Sequence, residues 1–218
     1  MKKILIITLV FILALSLLAA CGGSGNENGS STTPPTSENS GSKTNLKGSP
    51  EDIAIDIVKK ADDKIENEMD KFPAGMGGMA EAVTKEDVKS FIGITVEQFN
   101  SHVKKAVLVR SLIGTFPDEI FLIECNDEAA AAQMIKWIPD AYDTGKHICV
   151  APGQSFVIRS GQYVLLAATT NVRAEAVLEA FKDMAGNTSD VNVFFEGEGD
   201  PSGDIENPGI GGGPAQLD

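Results

Sequence analysis

Cysteine, histidine, arginine and aromatic residues are all scarce in this 218-residue chain, and each scarcity removes a class of chemistry. Zinc takes three or four ligands from His, Cys and carboxylates at close spacing. Here two histidines (His102, His147) and the cysteines Cys125 and Cys149 are dispersed, so no metal centre is expected. Nucleophilic catalysis needs a base within hydrogen-bond reach of the nucleophile, and neither histidine lies in a Gly-x-Ser-x-Gly turn or a comparable setting. No phosphate-binding glycine loop is present, and no cofactor is implied. Positive charge is short as well: 18 Lys and Arg stand against 31 Asp and Glu, a net charge of −13. That balance argues against nucleic acid or an anionic lipid surface as a partner. It favours a solvated surface and weak divalent-cation binding.

Long apolar runs are confined to the start of the chain. After Lys2 and Lys3, residues 4–20 are apolar except for Thr8 and Ser16. A run this short, ending in small residues, reads as a signal peptide rather than a spanning helix, which needs roughly 20 apolar residues. Leu18-Ala19-Ala20-Cys21 resembles the lipobox of bacterial lipoproteins, in which the cysteine thiol takes a diacylglyceryl group and the peptide before it is removed. Lipid on Cys21 is thus the expected modification, and the extracytoplasmic face of the cell membrane the expected address. Residues 22–50 have one apolar side chain, Leu46, and cannot bury enough surface to fold. The plan is a signal peptide over 1–20, a lipidated cysteine and disordered tether over 21–50, a single globular domain over 51–186, and an acidic, Gly-rich, mostly disordered tail over 187–218.

Within 51–186, Ser49-Pro50-Glu51-Asp52 is a helix start with a cap, a proline at the first position and two acids against the positive end. Ile53, Ile57, Ala61, Ile65 and Met69 recur every four residues, with Phe72 closing the stripe, and predict an amphipathic helix ended by Pro73. Thr84 with Asp87 and Thr95 with Gln98 mark two short helices divided by Gly93. Strands are expected at Val103–Arg110, Glu119–Cys125, Ser155–Arg159 and Tyr163–Ala168, the last two joined by a Ser160-Gly161 turn. Helices follow the second and fourth strands, one capped by Asn126 or Asp127 and ending near Tyr142, and one capped by Thr170 or Asn171 and carrying Ala174, Val177, Leu178, Phe181 and Met184 up to Gly186. The strand-strand-helix plan occurs twice, which raises an internal duplication. The fold class expected is α+β: a mainly antiparallel four-stranded sheet, two packed helices and an N-terminal helical segment. Strands apolar on both faces require cover on both sides, with the first helix as a candidate for the second cover.

Phe91-Ile92-Gly93-Ile94, Glu119-Ile120-Phe121, Asp127-Glu128-Ala129-Ala130-Ala131 and Gly161-Gln162-Tyr163-Val164-Leu165-Leu166 follow one another in an order that resembles a family of Gram-positive lipoproteins built on a domain of unknown function. The likeness covers residues 51–186 and extends to the leader and the low-complexity tether. It implies an envelope location and carries no catalytic residue.

Several residues admit both a site role and a blander structural one. Cys125 and Cys149 are expected as small buried hydrophobes, with a disulfide as the alternative outside the membrane. His147 and Cys149, two apart, share a face if that stretch is a strand; an exposed histidine beside a buried cysteine is the preferred reading. Met76 and Met79 have the softness for copper but are expected to cover apolar surface. Glu196, Glu198, Asp200, Asp204 and Glu206 alternate as calcium-binding acids can, yet without EF-hand spacing they read as a solvating tail, from which Val191-Val193-Phe194-Phe195 stands out as a strand or docking element. Arg110, Arg159 and Arg173 could grip a carboxylate or phosphate. Trp137, Tyr142 and Phe116 could line a groove for a glycan or peptide. The function these features favour is a membrane-anchored, non-enzymatic module binding an envelope protein, peptide or small molecule; the alternative is an envelope hydrolase or redox enzyme with a dispersed site.

Overall fold

The computed structural model describes residues 44–113, 116–147 and 149–197. Cys21, the leader and residues 22–43 lie outside the described residues, as do Glu198, Asp200, Asp204 and Glu206.

The first helix, α1 (Pro50–Lys64), begins where its cap chemistry places it. Ser49 Oγ accepts the Asp52 backbone N–H at 3.2 Å, and Pro50 takes the first position. Ile53, Ala54, Ile57, Val58 and Ala61 form its buried stripe. The apolar period continues to Met69, but the helix does not. Ile65 leaves in an extended conformation, and Asp62 then takes over the backbone: its carbonyl accepts the Ile65 N–H at 3.2 Å, and its carboxylate accepts the Phe72 N–H at 2.9 Å. The chain doubles back over residues 66–71, so Phe72 re-enters the core from a turn while Met69 is left 87% exposed. Met69 is thus removed from the expected stripe. A four-residue period registers apolar content and is blind to a carboxylate that captures the backbone.

One sheet holds six strands: β1 (Glu81–Ala82), β2 (Val103–Arg110), β3 (Glu119–Cys125), β4 (Gln154–Ser160), β5 (Tyr163–Thr169) and β6 (Asn192–Glu196). Their spatial order is β1-β2-β3-β5-β4-β6, and every neighbouring pair is antiparallel. The α+β class stands, but the four-stranded sheet with two helices is overturned: the described residues hold six strands and five α-helices. The inner four are the strands the apolar runs mark. Of the outer two, β6 falls on the strand or docking element marked at Val191-Val193-Phe194-Phe195, and β1 escaped. β1 is two residues long, too short to carry a period, and β6 lies in the acidic segment after Gly186, half-buried and joined to β4 across a bulge. The remaining helices are α2 (Val88–Phe91), α3 (Val96–His102), α4 (Glu128–Ala141) and α5 (Asn171–Ala185).

Both faces of the sheet are covered, as its doubly apolar strands require. α1 and α5 cover one face, with Ile57, Val177 and Phe181 over Ile120, Leu122 and Leu165. α4 covers the other, with Met134 and Ile138 over Phe121, Val164 and Leu166. The two hairpin–helix units, β2-β3-α4 and β4-β5-α5, therefore place their helices on opposite faces. Since β3 and β5 are antiparallel neighbours, a two-fold axis normal to the sheet would return both helices to one face. The units have opposite hand, and no rotation superposes one on the other, so the repeated plan is not a rotational duplication.

Candidate functional site

Successive side chains on a strand point to opposite faces, and Asp118 and Glu119 at the start of β3 use that alternation to seed two polar clusters back to back. Asp118 serves the α1/α5 face. It accepts the Thr169 hydroxyl and both its oxygens meet Arg173 Nη1, at 3.2 and 3.1 Å. Arg173 also donates from Nε to the Asp70 carbonyl at 2.8 Å and from Nη2 to the Lys71 carbonyl at 2.7 Å. Its guanidinium lies 5.6 Å from the Phe72 ring centre and 5.7 Å from that of Phe116. Burial pushes the Asp118 carboxyl above its ordinary value, against the Thr169 and Arg173 hydrogen bonds that favour the anion. With both members buried and all these groups committed to one another, this cluster is a staple between β3, α5 and the returning 66–72 turn.

Glu119 serves the α4 face, where the loop after α4 closes over it. Asp143 accepts the Gly145 N–H at 2.9 Å and shapes a 3-10 turn at Thr144–Lys146. Glu119 Oε2 accepts from Lys146 Nζ at 2.7 Å and from the Tyr142 hydroxyl at 2.8 Å, and His147 Nε2 is 3.2 Å from that same hydroxyl. Lys146 also donates to the Phe91 carbonyl at 2.7 Å and lies 4.2 Å over the Tyr142 ring. Phe194 of β6 meets Tyr142 edge to face at 5.9 Å. Burial lowers the Lys146 and His147 pKa values and, with the Glu119 charge, raises that of the Tyr142 phenol. Neutral imidazole and protonated phenol are what this geometry selects.

The cross-strand register extends the site along the sheet. Arg110 is opposite Glu119, Glu119 opposite Ala168, and Ala168 opposite Ser155. Arg110 is already engaged, paired with Glu81 through Nε and 5.5 Å over the Phe91 ring. Ser155 is wholly buried, and its hydroxyl is the one buried side-chain polar atom without a hydrogen-bond partner found among the described residues.

Of the residues singled out from sequence, Tyr142 and His147 come together. Cys149 is an exposed free thiol with no hydrogen bond to His147 among the described residues, and Cys125 is a buried free thiol whose pKa burial pushes up to about 12, so the disulfide reading is set aside. Cys149 is also not the buried hydrophobe expected. Met76 packs half-buried on the core while Met79 is exposed. Trp137 lies edge-on to His102 at 4.8 Å, and Phe116 belongs with Arg173. Arg173 itself is buried rather than poised for a ligand, and Arg159, half-buried, lies at the far end of β4. Among the described residues no group of three His, Cys, Asp or Glu could hold a metal ion, and no helix is long and apolar enough to cross a membrane. Sequence reasoning missed Glu119, Lys146 and Ser155. The available signal was the Asp118-Glu119 pair opening an apolar strand, since adjacent acids there must face both layers.

No protein-family model, curated protein or solved structure matches the chain.

Proposed function

We propose that this chain is a bacterial lipoprotein, held by lipid on Cys21 to the extracytoplasmic face of the cell membrane, and that its α+β domain is a non-enzymatic binding module of the envelope. The observation that carries the anchor is Leu18-Ala19-Ala20-Cys21 placed directly after a 17-residue, almost wholly apolar run and before a tether without a hydrophobic face. Two or three acyl chains suit such an address, because each buried methylene contributes about 0.8 kcal/mol. Support for binding rather than catalysis comes from the Glu119 cluster. Its charges neutralise each other, and no serine or cysteine is hydrogen-bonded to His147 among the described residues. The partner is an envelope protein, a peptide or a small molecule, not nucleic acid, given the net charge of −13.

Metabolic labelling with a fatty-acid analogue tests the anchor. The wild-type chain takes up label, and Cys21→Ala abolishes it while leaving the precursor uncleaved or releasing the protein. Undiminished labelling of Cys21→Ala overturns the proposal.

A further inference from the structure

Large hydrophobic side chains left exposed among the described residues gather mainly at one end of the sheet. Leu112, Ile113 and Phe116 lie in the loop that joins the end of β2 to the start of β3, and Leu112 is 80% exposed. Val172 is in the first turn of α5, which starts beside that loop because β5 ends opposite the start of β3. Met69 precedes Asp70, whose carbonyl accepts the Arg173 Nε–H, and the same guanidinium lies 5.7 Å from the Phe116 ring. Met79 lines a small cleft with Leu112, Leu108 and Arg110. The opposite end of the sheet is polar, presenting Asn126, Asp127 and Asn187 to solvent. The exposed apolar side chains thus stand out from loops and turns at one end, and do not line a groove.

We propose that this apolar end, centred on Leu112 and Ile113, inserts into the surface of the same bilayer that the lipid on Cys21 enters, so that the domain lies against the membrane. An exposed apolar patch marks a protein or a membrane contact, and the chain before the domain favours the membrane. From Cys21 to Thr44 the backbone reaches at most about 80 Å, several times the length of roughly 22 Å that the 15 residues of α5 span. The chain enters at the polar end, where the Asn45 N–H donates to the Ala185 carbonyl. That reach is long enough for the apolar end to turn down to the same surface. The bilayer is then the apolar phase held permanently beside the patch, at an effective concentration that a diffusing partner does not match. Charge sets the mode of contact. At this end Arg110 is paired with Glu81 and Asp118 with Arg173, and a net charge of −13 gives no attraction to anionic headgroups. The contact is therefore made by aliphatic side chains with uncharged lipid, and it is insensitive to salt.

This inference rests on the lipid-anchor reading, and its test separates the two. The full chain is reconstituted in phosphatidylcholine vesicles, with or without bromine on the acyl chains. Leu112→Trp is the reporter, and the wild-type signal of Trp137, the single native tryptophan, is subtracted. Bromine should cut the added fluorescence by half or more, in low and high salt alike, and leave Val193→Trp, exposed on β6, unquenched. Adding Ile113→Asp to Leu112→Trp should abolish the quenching at an unchanged melting temperature, since both side chains are exposed. Quenching of Leu112→Trp no greater than that of Val193→Trp overturns the proposal. A blue shift without quenching also overturns it, because a protein or a second copy of this chain would then cover the patch. Fatty-acid labelling reads Cys21 alone. A chain that is quenched without labelling keeps the contact and loses the anchor, and one that labels without quenching keeps the anchor and loses the contact.

Discussion

Arg173 directs its guanidinium at Asp118 and at the carbonyls of Asp70 and Lys71, with the Phe72 and Phe116 rings beside it, and so holds three parts of the chain with one side chain. Removing one member of a buried ion pair leaves the other charge desolvated and unmatched, at a cost of about 3–5 kcal/mol. Asp118→Ala should lower the unfolding free energy by that order in chemical denaturation, whereas replacing both partners by apolar residues should cost much less. His147 gives a pH signature of known sign. Burial holds its pKa below the ordinary 6.5, so near that pH the folded ring binds fewer protons than the unfolded one. Stability from this group is complete above about pH 6.5 and declines as pH falls through the interval down to the folded pKa. His147→Gln should flatten that part of a stability–pH profile, and an unchanged slope would assign it elsewhere.

At the scale of elements, the packing turns on contacts between segments distant in sequence. Phe181 on α5 is wholly buried against the sheet, so Phe181→Ala should cost about 3–5 kcal/mol, a large share of a domain's roughly 5–15, and thermal melts will register it. Gly93 between α2 and α3 has φ of 90°, and a Cβ there would come within 1.9 Å of the Ala141 carbonyl oxygen. Gly93→Ala should therefore destabilise by more than the 1–3 kcal/mol or so typical of a strained backbone and loosen the α4 end that carries Tyr142. Three of the helix starts were legible because caps are local: Ser49, Thr95 with Gln98, and Asp127 accept backbone N–H groups, whereas Asp87 before α2 and Thr170 before α5 make no side-chain cap bond. The end of α1 was not, because Asp62 reaches Phe72 ten residues on.

For the whole molecule, β6 carries the sheet past Gly186, the expected end of the domain. It joins β4 and brings Phe194 onto Tyr142, so a chain ending at Asp190 should melt well below one ending at Gly197. Truncation at Gly197 itself should change the melting temperature little, since residues 198–218 offer few apolar side chains to bury. Composition and period by themselves determined the expected address at Cys21, the α+β class and the four inner strands, because hydrophobic runs, caps and turns are written in neighbouring residues. Tertiary structure alone decided the six-stranded order, the opposite hand of the two hairpin–helix units and the meeting of Glu119, Tyr142, Lys146 and His147. Those residues are brought together by strand register and by a loop folding over a sheet end. Register is a property of which strands pair, and no local pattern carries it.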